Sequence, residues 1–181
     1  MFKILCLIIC LLTLSAHAFW FETKVGQNMA QWQSSSLSGP GVELKLGPEV
    51  LNPIAFGPQI FYGINTIDDE RLGFKSSVHH FSAGPHVTFN GVRFRAWVSM
   101  TLTERFSTTE AVKSRGQDIG KVKYQGTGFK TGLGVNLAKN YGVNLEVQRK
   151  NINKITDSFG RSYPELAFKV YNFFLSLSIL Y

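Results

Sequence analysis

Tyr171-Asn172-Phe173-Phe174-Leu175-Ser176-Leu177-Ser178-Ile179-Leu180-Tyr181 is the stretch whose reading decides the fold. In an extended strand successive side chains point to opposite sides. Tyr171, Phe173, Leu175, Leu177, Ile179 and Tyr181 therefore share one face, and Asn172, Phe174, Ser176, Ser178 and Leu180 share the other. Alternation of this kind predicts a strand between two different environments. Val92–Thr103 repeats it, with Val92, Phe94, Ala96, Val98, Met100 and Leu102 opposite Arg93, Arg95, Ser99, Thr101 and Thr103. Six further segments fit: Phe21–Ala30, Val42–Leu51, Ile54–Thr66, Ser77–Phe89, Lys121–Ala138 and Tyr141–Asn151. Lys121–Ala138 changes phase between Tyr124 and Phe129, which predicts a bulge near Gly126 or Gly128. No helical period is sustained after Ala18.

The connections order these strands. Asn52-Pro53, Asn90-Gly91 and Lys139-Asn140 are short turns, and Asn-Gly is the strongest local hairpin signal. Between them lie four longer polar links, Gln31–Gly41, Ile67–Ser76, Ser107–Gly120 and Ile152–Leu166. Long and short links alternate, so an up-and-down barrel gathers the short turns at one end and the long loops at the other.

Composition agrees. The 181 residues are 44% hydrophobic and only 17% charged, against about 25% charged in average soluble domains. That apolar fraction excludes disorder, and the length suits one domain. Met1-Phe2-Lys3 is a short positive end, Ile4–Leu14 is apolar, and Ser15-Ala16-His17-Ala18 offers small residues where a signal peptidase reads. The apolar run is shorter than the roughly 20 residues a membrane helix needs. Residues 1–18 are thus expected to be a cleaved secretory signal, and residues 19–181 the barrel domain. Cys6 and Cys10, the only cysteines, leave with the signal. The mature chain then has neither disulfides nor thiolate chemistry.

With its alternating links and its final aromatic-ended strand, the chain resembles the small eight-stranded barrels of Gram-negative outer membranes, the OmpA- and OmpX-like barrels. The resemblance covers Phe21 to Tyr181. It implies an all-β, antiparallel, up-and-down transmembrane barrel with short periplasmic turns, longer outer loops and both termini in the periplasm. It also implies that Phe173, Leu175, Leu177, Ile179 and Tyr181 form the signal read by the barrel-assembly machinery. The expected surroundings are outer-membrane lipid and lipopolysaccharide, around a monomer with no cofactor.

A secreted soluble barrel would show the same period with its apolar face inward. The opposite face discriminates. It carries Gly57, Gly63, Gly84, Gly132 and Gly134, Ser176 and Ser178, and Gln59, Asn65, Asn136 and Asn144. Glycine weakens a solvated strand but suits a crowded lumen. Phe56, Phe89, Phe94, Tyr141 and Tyr181 are expected in an aromatic girdle at the short-turn end, with Tyr62 and Phe106 nearer the loops. The same parity assigns Lys24, Glu43, Lys45, Glu49, Arg93, Arg95, Lys130, Glu146 and Lys150 to the lumen, with Glu22 nearby. Charges of both signs in a narrow interior must pair. This predicts a filled, salt-bridged lumen and a structural or surface-interaction role; a narrow ion path lined by the same residues is the alternative.

His80-Phe81-Ser82 is the one fragment suggesting catalysis. Eight-stranded lipid A deacylases are similar in fold and use a His-x-Ser pair with an acidic residue. Here the pair falls in the fourth strand, points inward and has no acid close by in sequence, the next being Glu104. Polar filling of the lumen is the reading preferred for it. His80 and His86 lie about 20 Å apart along a strand, and His79 faces the other way, so no metal site is expected. The basic charge is scattered, which argues against nucleic acid. Lys75, Lys113, Arg115 and Arg161 are the loop cations suited to lipopolysaccharide phosphates or another surface.

Overall fold

A computed structural model describes residues 19–51 and 53–181. The expected signal segment and Asn52 of the Asn52-Pro53 turn lie outside the described residues. The strands are β1 (Phe19–Trp32), β2 (Ser35–Leu51), β3 (Ile54–Asp69), β4 (Phe74–Asn90), β5 (Phe94–Thr108), β6 (Val112–Ser114), β7 (Gln117–Gly120), β8 (Val122–Ala138), β9 (Tyr141–Asp157) and β10 (Phe168–Leu180). Eight of them close a barrel in the order β1-β10-β9-β8-β5-β4-β3-β2, while β6 and β7 form a separate hairpin. All neighbours are antiparallel, and closure pairs β1 with β10, from Glu22 opposite Leu180 to Gln31 opposite Tyr171. Closure removes the unpaired strand edges that an open sheet would expose.

The barrel strands run 13 to 17 residues, where about 9–11 suffice to cross a bilayer. The surplus corrects the loop expectation. Much of the Gln31–Gly41 link is strand, leaving only a turn at Gln33-Ser34, where Gln33 takes a positive φ of 49°. β3 continues to Asp69 and β4 begins at Phe74, and Ser107–Gly120 contains the β6–β7 hairpin. β9 continues to Asp157, and the remaining link includes a single 3-10 turn at Pro164–Leu166.

Those extensions look like loops because the polarity of the wall inverts along the barrel. In the belt towards the short turns the exterior is apolar, with Phe56, Val98, Leu133, Leu145 and Leu175 all exposed. Nearer the loops the exterior turns to serine, threonine and charge, and Trp32, Leu37, Ile67, Phe74, Val78, Ile152 and Ile155 fill the inside. Period two persists throughout; only the identity of the apolar face changes. A soluble barrel would keep its apolar face inward over the whole strand, so the exposed belt excludes that alternative.

Bulges reset the phase. β8 shifts register against β9 between Gln125 and Gly126, where the sequence predicted a bulge. A second shift, between Thr101 and Glu104 on β5, has no glycine to announce it. Beyond it Glu104 and Phe106 turn inward and Arg105 outward. Phe106 is therefore buried in the barrel and does not belong to the outer aromatic girdle.

Candidate functional site: the ionic lumen

Inside the belt, neighbouring strands deliver charge to a common axis. Glu22 and Lys24 come from β1, Glu43 and Lys45 from β2, Arg95 from β5, Lys130 from β8 and Glu146 from β9, all buried. Lys24 Nζ lies 2.6 Å from Glu146, 3.4 Å from Glu43 and 3.6 Å from Glu22. Lys130 pairs with Glu43 and, at 3.2 Å, with Glu146. Lys45 lies 3.2 Å from Glu43. Arg95 pairs with Glu22 and donates to Asn144 at 2.8 Å and Ser178 at 2.7 Å. Each carboxylate thus meets at least two cations or one guanidinium, which is how buried charge is tolerated.

Trp97 forms the floor of this cluster. The ammonium groups of Lys24 and Lys45 lie 3.5 Å and 4.0 Å from its ring centroid, so the ring face supports cationic charge where water is scarce. The ring has room only because Gly132 faces it: a Cβ at that position would collide with the indole. This gives one of the lumen glycines a defined reason.

A second cluster lies nearer the loops. His80 Nε2 and Glu104 are 2.5 Å apart, and Lys150 is 2.8 Å from the same carboxylate oxygen. Gln148 donates to the other oxygen at 3.1 Å and to Thr101 at 3.0 Å. The Asn28 amide lies 3.3 Å from His80 Nδ1, and Nε2 faces Glu104 and, at 3.2 Å, the Lys150 ammonium. Phe61 and Phe106 hold the imidazole between them, at 4.6 Å and 4.3 Å between ring centroids.

That arrangement bears on the His80-Phe81-Ser82 fragment. Glu104, 24 residues from His80 in sequence, does lie beside it in space. Ser82 is buried on the same inner face. Both ring nitrogens of His80 are already engaged, by Asn28 and Glu104, leaving no base to take a proton from the Ser82 hydroxyl. Among the described residues no cluster of His, Cys, Asp and Glu suits a metal ion.

Two of the residues expected in the lumen are elsewhere. Arg93 lies exposed in the turn before β5, because the strand begins only at Phe94. Glu49 is half-buried beside a register shift in β2 and makes no ion pair among the described residues. Lys24, Glu43, Lys45, Arg95, Lys130, Glu146 and Lys150 are brought together, and Glu22 joins them. His80, Gln148 and Glu104 complete the set. Alternation hid Glu104, since the bulge flips it from the face shared with Leu102.

Above the ions the interior is apolar. A cavity of ≈ 10 Å³ between Trp32, Leu37, Ile67, Phe106 and Tyr124 has room for about one water. Asp69 caps this layer, accepting from Tyr124 at 2.9 Å and from Arg71 at 2.9 Å, while Arg71 covers Phe168 at 4.3 Å. At the loop tips Lys113 and Arg115 are exposed, Lys75 lies 3.8 Å from Asp68, and Arg161 binds Asp157 at 2.5 Å. Burial pushes the Asp157 carboxyl up, but hydrogen bonds from Tyr163 and Arg161 outweigh it and hold the group below its ordinary value. The C-terminal aromatic-aliphatic face, Phe173, Leu175, Leu177, Ile179 and Tyr181, points outward from β10. Tyr181 reaches across the closure, its amide donating to the Phe21 carbonyl at 3.0 Å.

No family model matches the chain, and no curated protein matches it. Solved structures do. Ail, the attachment invasion locus protein of Yersinia pestis, crystallised with the heparin analogue sucrose octasulfate, superposes with a TM-score of 0.61 at 8% identity, over 91% of this chain and 100% of that one. Neisserial surface protein A gives 0.53 at 16% identity, over 90% and 95%. The outer membrane protein OprG of Pseudomonas aeruginosa gives 0.52 at 9% identity, over 93% and 98%. At such identities the likeness is one of architecture. The chain has the fold of the small eight-stranded outer-membrane barrels.

Proposed function

We propose that the chain is an outer-membrane protein of structural or surface-interaction type whose lumen is a salt-bridged plug. The observation that carries this is the pairing of an apolar outer belt with an ionic interior. Lipid accounts for the first, and the second closes the barrel to solutes. Residues 1–18 act as the export signal, both termini face the periplasm, and the barrel works as a monomer. The outward face of β10 is what the assembly machinery reads. Lys113 and Arg115, which have no acidic partner among the described residues, face a polyanionic surface partner. The sulfated ligand carried by Ail, a protein of like fold, is in keeping with such a partner. An enzyme is disfavoured because His80 has no free nitrogen for Ser82.

Electrophoresis of the outer-membrane fraction tests the reading. The protein should sediment with that fraction and run with heat-modifiable mobility, compact before boiling and extended after. A soluble periplasmic product with unchanged mobility would overturn it.

A further inference from the structure

The apolar belt does not end in the same way all round the barrel. On β5, β8, β9 and β10 its upper edge carries Arg105, Lys123, Arg149, Lys154 and Lys169, all exposed on the outer wall. Strand pairing sets them side by side. Tyr171 pairs with Arg149, and Lys169 pairs with Asn151 one pleat higher on the same two strands. Lys154 and Arg105 flank Gln125 from its two sides. With strands about 4.8 Å apart, those two cations stand roughly 10 Å from each other. The ion pairs found outside the lumen are Arg71–Asp69, Lys75–Asp68 and Arg161–Asp157, so none of the five wall cations is neutralised within the described residues. The strand positions around them carry no carboxylate; they are the half-buried Gln125 and the exposed Thr127, Asn151 and Asn153. Past β10, the outer faces of the next two strands, β1 and β2, offer at the level of Tyr171 only Gln31 and Ser36.

Directly beneath the cations the same strands present Leu133, Leu145, Phe173 and Leu175 to the outside. A ligand suited to this wall has a hydrocarbon part below and multivalent anionic charge above, with hydroxyls for the amides to meet. Basic side chains at such a height extend along the wall and keep their charged ends at the polar boundary.

We infer that this strip on β5, β8, β9 and β10 is a binding site for the phosphorylated headgroup of an outer-leaflet glycolipid, whose acyl chains lie on the belt below. The site is distinct from the loop-tip cations, and it rests on the reading of the chain as a membrane barrel. Arg149 is its central group, level with Tyr171 and Phe129. Its planar guanidinium can hold a phosphate by two parallel hydrogen bonds.

The test uses the chain refolded into phosphatidylcholine bilayers. Thermal unfolding is followed by heat-modifiable mobility while bisphosphorylated lipid A is titrated in. The native protein should gain thermal stability with lipid A, but not with its dephosphorylated form or with inorganic phosphate at equal concentration. The triple variant Arg149→Gln/Lys154→Gln/Lys169→Gln should bind lipid A about 100-fold more weakly, from roughly a factor of five per cation at a membrane surface. Arg149→Gln and Lys169→Gln alone should each lose about 5-fold, which covers the case of a triple variant that folds poorly. Lys139→Gln, an exposed cation in the turn at the other end of the barrel, should bind like the native chain. Equal affinity of native and wall variants overturns the proposal while leaving the membrane barrel intact. So does equal stabilisation by dephosphorylated lipid or by free phosphate. Failure to obtain any heat-modifiable species in bilayers overturns both the site and the barrel reading beneath it.

Discussion

Replacing Glu146 by alanine should destabilise the barrel far more than replacing Glu110, and the contacts set the size of the difference. Glu146 is buried against Lys24 at 2.6 Å and Lys130 at 3.2 Å, whereas Glu110 lies exposed in a loop. The first cluster holds Glu22, Glu43 and Glu146 against Lys24, Lys45, Arg95 and Lys130. Removing one carboxylate raises its excess positive charge from one to two. Breaking a buried pair costs about 3–5 kcal/mol. Lys24 keeps Glu43 and Glu22 at 3.4 Å and 3.6 Å, and Lys130 keeps Glu43, which places the loss near the lower bound, about 3 kcal/mol. With a urea slope of about 2 kcal/mol per molar, the midpoint should fall by roughly 1.5 M. Glu110→Ala should move it by less than about 0.5 M, since exposed charges contribute roughly 0–1 kcal/mol. Glu146→Gln keeps the volume but loses the charge, so it should fall with Glu146→Ala. Urea titration in lipid bilayers, read by heat-modifiable mobility, decides the matter. Equal midpoints for Glu146→Ala and Glu110→Ala would refute the claim that the lumen depends on paired charge.

Three further outcomes follow from other parts of the molecule. Tyr181→Asp should sharply lower outer-membrane abundance and leave unassembled precursor in the periplasm, measured by fractionation and blotting. A charge at the membrane edge costs only about 0–1 kcal/mol, so a large loss reflects failed recognition or closure against Phe21. Ser82→Ala should leave lipid A acylation unchanged by mass spectrometry, because His80 has no free nitrogen to activate the hydroxyl. The Asp157 carboxyl is held low by Tyr163 and Arg161 despite its burial. Its contribution is therefore full above the unfolded value near pH 4 and lost as pH falls through the lower folded value. Hydrogen exchange at residues 158–163 should be flat from pH 7 to about pH 4, after correction for intrinsic rates, and rise below it; Asp157→Asn should remove that step.

Much of this architecture was legible because two periods in the sequence are robust. Side-chain alternation on β10 and β5 identified the wall, and turn pairs such as Asn90-Gly91 set the strand order. Most of the first lumen cluster followed from parity alone. Three features resisted the same reasoning. The strand extensions were concealed because serine at 36 and 38 reads as loop when lipid is assumed outside, although Leu37 still points inward. Glu104 and Phe106 were misplaced because the bulge after Thr101 needs no glycine and leaves no mark in composition. Arg93 kept lumen parity but falls one residue before the strand starts, where parity no longer determines direction. The partnership of Glu104 with His80 is a contact between strands, and no local pattern encodes it.

The inside-out arrangement of the belt is tested most directly by a site-directed spin-label scan of β10. Cys6 and Cys10 are the only cysteines and both lie in residues 1–18, so each new cysteine in the 19–181 chain is labelled alone. In bilayers, labels at Phe173→Cys, Leu175→Cys and Leu177→Cys should collide readily with oxygen, which concentrates in hydrocarbon. Labels at Phe174→Cys, Ser176→Cys and Ser178→Cys should be shielded from it. High oxygen accessibility at the even positions and low accessibility at the odd ones, or a profile with no period of two, would contradict a barrel that turns its apolar face to lipid and its charges inward.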